Sequence, residues 1–509
     1  MAKKTVFLTG SSGNMGWHGF LELYKRREKF NFVLLNLDNP KSREKFKPYE
    51  NDPAVTLLWG NLTNYDDVLR CVTGADIVLH VGGMVSPAAD YDPKGTIHTN
   101  VTAARNIVNA AKAQPNPNAI KLVYIGTVAE TGERDAPIHW ARTGDPIKIS
   151  VYDHYAISKV IAESIFAESG LRYWVSLRQS GILHANILKL DPIMFHIPIN
   201  GVLEWATVED SGRLLANVCE DWVPDDFWRR FYNIGSGADY RITNFEFEQY
   251  LLGALGLGDM RRLFNANWFS LRNFHGQWYA DSDLLEHYLK FRENKPIIQY
   301  FAEIAAGSPW FYKFAKAVPK SFLKAFMMKK LTQTPVFGTM HWFKKDDKQR
   351  ISAFFGSKAA WNAIGTWKNF HIKHPSKQVC NLNHGWDEHR GIANLTLKDL
   401  KKAAEFRGGK LESKYYSGDP YAPVAWRCAH GHTFFMSPNL ALLGGHWCPE
   451  ELPGPTNGDW SNGFSPWAYD AEAKVNPFFA QVWYPLHCKS ENNTYGEEIY
   501  NGMKGYESF

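Results

Sequence analysis

Cysteine is scarce in this chain, with six residues in 509. That density excludes the class of small extracellular domains framed by disulfides. Long apolar runs are missing too. No segment is long enough to serve as the apolar stretch of a signal peptide or to cross a bilayer, so a reduced, cytoplasmic setting is expected. Charge of one sign is not in excess: 57 Lys and Arg against 52 Asp and Glu leave a net +5. So small a balance gives no reason to expect nucleic-acid binding. There is no internal repeat and no low-complexity tract, which argues against a solenoid or a disordered linker.

What is present points to a globular chain of two or three domains, with 45% hydrophobic and 21% charged residues. Aromatic residues reach 15%, including 19 Trp, and many of them follow residue 260. They suit either a second packed core or a pocket for a flat, apolar ligand.

Residues 1–180 alternate short apolar runs (6–9, 32–38, 55–59, 76–81, 121–126 and 173–178) with amphipathic stretches such as 99–113 and 155–168. Strands that alternate with helices predict an α/β domain, a parallel sheet covered on both faces. Residues 181–295 are mixed, with a buried strand expected at Tyr232-Asn233-Ile234 and turns at Gly235 and Gly237. Residues 296–405 form a helical extension. Residues 406–509 are rich in Gly, Pro and Trp and are read as a loop-rich, aromatic C-terminal domain.

Thr9-Gly10-Ser11-Ser12-Gly13-Asn14-Met15-Gly16 follows the first strand and opens a helix. Glycines at this junction allow a tight turn, close approach of the backbone to a pyrophosphate, and close helix–strand packing. The N–H groups at the helix start then face the phosphates. Gly10, Ser12, Gly13, Asn14, Met15 and Gly16 are therefore cofactor-binding candidates. Asp38 stands 22 positions after Gly16. A carboxylate there would accept from an adenosine ribose and repel a 2′-phosphate, so NAD is expected rather than NADP. Lys41 and Arg43 close by oppose that preference.

Tyr155 and Lys159 lie four residues apart, on one face of a helix. A phenol has a pKa near 10, and an ammonium beside it would bring that value towards the working range of an acid–base catalyst.

The turn resembles the Thr-Gly-x-x-Gly-x-x-Gly of the extended short-chain dehydrogenases, the NAD-dependent epimerase/dehydratase-like family. Further landmarks follow over about the first 290 residues: Asn61-Leu62, His80-Val81-Gly82-Gly83, and Asn100-Val101 with Asn106, Ala110 and Ala111. The resemblance implies a Rossmann-type doubly wound sheet with a small mixed substrate domain. It implies NAD contacts at Asn61, Leu62, Val81, Gly82, Gly83, Gly181, Tyr155 and Lys159. Thr127, 28 residues before Tyr155, falls where the family has its catalytic Ser or Thr, so Thr127, Tyr155 and Lys159 form the expected catalytic set. A homodimer is a further expectation from the resemblance.

Members that act on nucleotide sugars carry an Arg-x-x-Asn-x-Tyr-Gly-Pro-like run. Here the run is Arg178-Gln179-Ser180-Gly181-Ile182-Leu183. That departure favours an alcohol dehydrogenase or carbonyl reductase for an apolar substrate such as a cyclic or steroid-like one. The alternatives are a nucleotide-sugar epimerase or dehydratase with tightly held NAD, and a non-enzymatic dinucleotide-binding scaffold or sensor. Substrate contacts are sought on composition alone at Met194, Phe195, His196, Phe274, His275 and Trp278.

Two C-terminal patterns complete the reading. Lys313, Lys316, Lys320, Lys324, Lys329 and Lys330 lie among Trp310, Phe311, Tyr312, Phe314, Phe322 and Phe326. This reads as a helix with an apolar core face and a solvated Lys face rather than a membrane contact, with Pro319 against one unbroken helix. Gly408-Gly409-Lys410, Cys428-Ala429-His430-Gly431-His432 and Trp447-Cys448-Pro449 resemble a zinc-ribbon-type repeat. Leu411 and Glu451 stand where two of its thiolates belong. The expectation is a domain that kept its shape and holds no metal.

Overall fold

In the computed structural model, which describes residues 3–310, 312 and 316–500, side chains alternate across the first strand in the way a sheet covered on both faces requires. Along β1 (Lys4–Thr9), Val6 and Leu8 point into one core and Phe7 into another. β1 is joined by β2 (Phe30–Asn36), β3 (Val55–Trp59), β4 (Ile77–His80), β5 (Lys121–Thr127), β6 (Tyr173–Gln179) and β7 (Arg230–Ile234). All pair in parallel, in the order β7-β6-β5-β4-β1-β2-β3. The order reverses between β1 and β4, and the loops beyond the strand ends open there into a crevice. This is the doubly wound Rossmann-type sheet that the alternating pattern predicts.

The helices are α1 (Asn14–Tyr24), α2 (Pro40–Phe46), α3 (Tyr65–Val72), α4 (Pro93–Lys112), α5 (His154–Ala167) and α6 (Val208–Asn217). Phe20 of α1 and Leu214 of α6 cover the Val6/Leu8 face. Val68 of α3, Ala104 of α4 and Phe166 of α5 cover the Phe7 face. Each start has a local cause: Asn64 caps α3 through two N–H groups, and Asp153 caps α5 by accepting from Ala156 N.

The C-terminal third is packed into the same cores. A three-stranded antiparallel sheet (Lys410–Leu411, Val424–Arg427, Thr433–Met436) places fully buried Trp426 with Phe434 and Leu440 in the core that also holds Phe7, Trp174 and Phe231. The helices Thr339–Lys345 and Lys348–Phe355 share a second core with Phe195, Phe264, Phe269 and with Trp467 and Trp483 of the tail. Much of the aromatic excess is therefore core.

The Lys-rich stretch is broken as Pro319 suggests. A helix starts at Lys320, widens into a π turn over Lys324–Met328 and ends at Thr332. Phe311, Lys313 and Phe314 lie outside the described residues. Among the described residues, no helix is long and apolar enough to cross a membrane.

Candidate active site

The glycine turn and the loop after β4 are built against each other. Gly10 has φ +68°, and a Cβ on it would stand 2.6 Å from Gly82 Cα. A Cβ on Gly16 would stand 2.2 Å from the Gly10 carbonyl oxygen. No side chain larger than hydrogen fits either place. Thr9 fastens the two loops, its Oγ1 accepting from Val81 N at 3.0 Å and Gly82 N at 2.8 Å. Gly13 precedes α1 without a side-chain cap, so the first N–H groups of that helix face the crevice.

The crevice encloses about 570 Å³. Gly10, Ser12, Gly13, Asn14, Met15 and Gly16 line it, with Asn61, Leu62, Val81, Gly82, Gly83, Gly181, Thr127, Tyr155 and Lys159. Of the residues expected at the cofactor, only Asp38 is not on its wall. Asp38 is exposed beyond the end of β2, and its carboxylate takes two hydrogen bonds from Arg43, at 2.5 and 2.8 Å. That pair holds the carboxyl below its ordinary range. The strand ends two residues earlier, and Asn36 takes the wall position. Its Oδ1 accepts from the buried Ser11 hydroxyl at 3.1 Å, and its buried Nδ2 has no hydrogen-bond partner. A buried amide N–H₂ with no acceptor, beside a cradle that a Cβ would fill, suits an adenosine ribose and a pyrophosphate.

Asn100 joins the cofactor loop to the catalytic helix. Its Oδ1 accepts from Met84 N at 2.8 Å, and its Nδ2 donates to Met84 O at 3.0 Å and to Ser158 Oγ at 2.8 Å. Tyr155 stands in the first turn of α5 and Lys159 one turn on. Thr127 ends β5 and caps the next turn, with Glu130 Oε1 accepting from Thr127 N at 2.9 Å. Thr127 and Tyr155 line the same crevice.

Lys159 is buried and Tyr155 half-buried, and desolvation acts on them in opposite directions. Burial pushes the Tyr155 phenol above its ordinary value, opposed by the Thr127 side chain. Burial pulls the Lys159 ammonium down to about 8, opposed by Glu130 and Glu163. Lys159 Nζ donates to the Ile125 carbonyl and lies 4.4 Å over the Tyr124 ring. The expected lowering of the phenol by Lys159 is not found: burial raises it, helped by Glu130 and Asp153. A phenol that keeps its proton is suited to giving it to an alkoxide.

Behind the pair lies a buried charge network. Arg178 meets Glu130 at 3.0 Å and Glu163 at 2.6 Å, and Glu163 also accepts from Ser176 Oγ at 2.5 Å and from His446 Nε2 at 2.8 Å. Glu163, one turn beyond Lys159 on α5, is held by these groups.

A second, aromatic chamber adjoins the crevice. Ser86 and His275 line both. Tyr91, Tyr152, Phe274, Phe337, Trp342 and Phe354 form its apolar wall, and Asp90, Asp153 and Asp191 its acidic part. His275 Nδ1 lies 3.2 Å from Asp153 Oδ2. Of the residues suggested for substrate contact, His196, Phe274 and His275 reach this chamber. Phe195 and Trp278 are buried in cores, and Met194 packs against one. The rest of its aromatic wall comes from Tyr91 and Tyr152 of the first domain and from Phe337, Trp342 and Phe354 of the helical extension, not from the tail after residue 406.

Residues 6–180 match the NAD dependent epimerase/dehydratase family. UDP-glucose 4-epimerase of Rickettsia massiliae is 26% identical over 129 residues, 24% of this chain and 36% of that protein. Human 3 beta-hydroxysteroid dehydrogenase type 7 is 27% identical over 176 residues, 34% of this chain and 46% of that protein. The chain thus spans about a third to a half of the length of these relatives. A dTDP-glucose 4,6-dehydratase from Streptomyces venezuelae, crystallised with NAD, is 20% identical with a TM-score of 0.47, covering 59% of this chain and 95% of that one.

Proposed function

We propose that the chain is an NAD-dependent oxidoreductase that moves a hydride between the cofactor and a carbinol or carbonyl carbon of an apolar substrate. The observation that carries this reading is the convergence of Thr127, Tyr155 and Lys159 on the wall of one crevice, which shares Ser86 and His275 with an aromatic chamber. NAD, when bound, supplies the hydride acceptor or donor. Asn36 and the glycine cradle hold its adenosine and pyrophosphate, and Lys159 holds its second ribose. Thr127 donates to the substrate oxygen and steadies the developing alkoxide. Tyr155 exchanges the proton with that oxygen.

The composition of the chamber supports an apolar substrate over a nucleotide sugar. Two carboxylates, Asp153 and Asp191, would repel a diphosphate, while burial raises the carboxyl of Asp90 to about 7. The one arginine there, Arg350, is bonded to Asp347 at 2.7 Å and lies over the Tyr152 ring. The second reading, a nucleotide-sugar epimerase or dehydratase, draws support from the match to UDP-glucose 4-epimerase.

Absorbance at 340 nm separates the two. Purified protein is mixed with NAD⁺ or NADH and a panel of steroid, aryl and aliphatic alcohols and ketones. Net change in NADH with one apolar class is the expected result. No change on the panel, with turnover of a UDP- or dTDP-hexose without net NADH, would replace this reading with the second.

A further inference from the structure

Four donor side chains from two tight turns meet beside the C-terminal sheet, away from the crevice. The first turn links the strands Val424–Arg427 and Thr433–Met436. It is closed by Cys428 N donating to His432 O at 3.0 Å and Gly431 N donating to Cys428 O at 3.1 Å, with Gly431 at φ +91°. The second is the short helix Pro449–Glu451, closed by Glu451 N donating to Cys448 O at 3.2 Å. Each turn offers a pair, Cys428 with His432 and Cys448 with Glu451.

His432 Nδ1 lies 3.5 Å from Cys428 Sγ, 3.7 Å from Cys448 Sγ and 3.7 Å from Glu451 Oε1. All four donor atoms lie within 4.8 Å of one another. Zinc bond lengths of about 2.3 Å to sulfur and about 2.0–2.1 Å to nitrogen and oxygen give tetrahedron edges of about 3.3–3.8 Å. The three distances to Nδ1 fall within or at the edge of that range.

The surroundings fit a cation. Cys428 and Cys448 are buried and do not form a disulfide. Glu451 Oε1 is buried and receives no N–H or O–H donor. A buried carboxylate oxygen aimed at two thiols and an imidazole nitrogen would cost stability unless something positive sits among them.

We propose that Cys428, His432, Cys448 and Glu451 bind one zinc ion in a closed, four-ligand structural site. Cys428 and Cys448 belong to the zinc-ribbon-like pattern of the sequence, whereas His432 and Glu451 complete the set in place of the two missing thiolates. The ion would tie the Cys428 hairpin, which carries Trp426 and Phe434 into the core, to the Cys448 turn. That turn follows the 444–446 loop bonded to Arg178 and Glu163. With four protein ligands no position is left for a substrate, so the site serves stability.

The test is zinc content of the full-length protein, expressed with zinc, kept reduced and desalted. About one zinc per chain is expected. Cys448→Ser and His432→Ala should lose most of it, and Cys380→Ser, a change at an exposed thiol outside the cluster, should keep it. Exchange into Co²⁺ should give the intense visible bands of a tetrahedral site with thiolate charge transfer. A chelator should lower the melting temperature, and added Zn²⁺ should restore it. If the variants do not fold, the wild-type cobalt spectrum decides alone. A reduced wild-type protein that carries no zinc and takes up neither ion overturns the proposal. So does zinc lost in His430→Ala but kept in His432→Ala.

Discussion

His446 Nε2 donates to Glu163 Oε1 over 2.8 Å, joining the C-terminal loop to the helix that carries Tyr155 and Lys159. Both side chains are buried. Arg178 and His446 hold the Glu163 carboxyl well below its ordinary range, so it is the acceptor. Burial lowers the imidazole below its ordinary value, opposed by Glu163. Arg178 also donates to the Gly444 carbonyl at 2.6 Å, so two contacts of one short loop brace the catalytic helix.

His446→Ala removes one donor from a buried carboxylate. We expect a stability loss of about 1–3 kcal/mol, read from the melting midpoint. A lower kcat with an altered alkaline limb of the pH profile should accompany it. His446→Gln, which keeps an N–H, should recover part of both. Unchanged stability and activity would mean the loop braces nothing.

Tyr155→Phe should lower kcat by about 10²–10⁴-fold while NAD affinity, followed by fluorescence titration, stays near the wild type. The Lys159 ammonium titrates near 8. Activity that needs its charge is full below that pH and lost above it, so kcat should fall on the alkaline side. Retained turnover in Tyr155→Phe would remove the residue from proton transfer.

Asn36→Asp places a carboxylate on the crevice wall. It should shift the ratio of NAD to NADP affinity about tenfold towards NAD, while Asp38→Ala leaves that ratio unchanged. The opposite pattern in a binding titration would return the role to Asp38.

Phe337→Ala opens the chamber wall, where the Phe337 ring lies 4.4 Å from that of Tyr91. KM for the apolar substrate should rise about tenfold with a smaller change in kcat. An equal loss in kcat and kcat/KM would place Phe337 nearer the reacting atoms.

Glu248 is buried on Asn244–Ala254, and burial alone raises its carboxyl from 4.5 to about 7. The folded state therefore binds its proton more tightly than the unfolded chain. The contribution is most favourable below pH about 4.5 and is lost as pH rises to about 7. Glu248→Gln should gain about 1–3 kcal/mol relative to wild type at pH 8 and little at pH 4, measured by melting at both. An equal effect at both pH values would mean that the charge is not the cause.

The sequence alone determined the sheet, the glycine turn and the Tyr155–Lys159 pair, because each rests on local periodicity. Short apolar runs alternating with amphipathic stretches, a strand–turn–helix junction and a four-residue helical spacing need no distant partner to be recognised. Asn36 was not legible, because its role depends on β2 ending at that residue and not two positions later, and element boundaries are set by pairing with β1 and β3. The chamber was not legible either: Tyr91, Phe274, Phe337 and Phe354 are brought together only by the packing of three separate stretches of chain. The same holds for His446 against Glu163, 283 residues apart. Contacts between groups so far apart leave no spacing in the sequence, because the intervening chain can take any path that buries its apolar side chains. Only the tertiary structure decided which of these side chains meet.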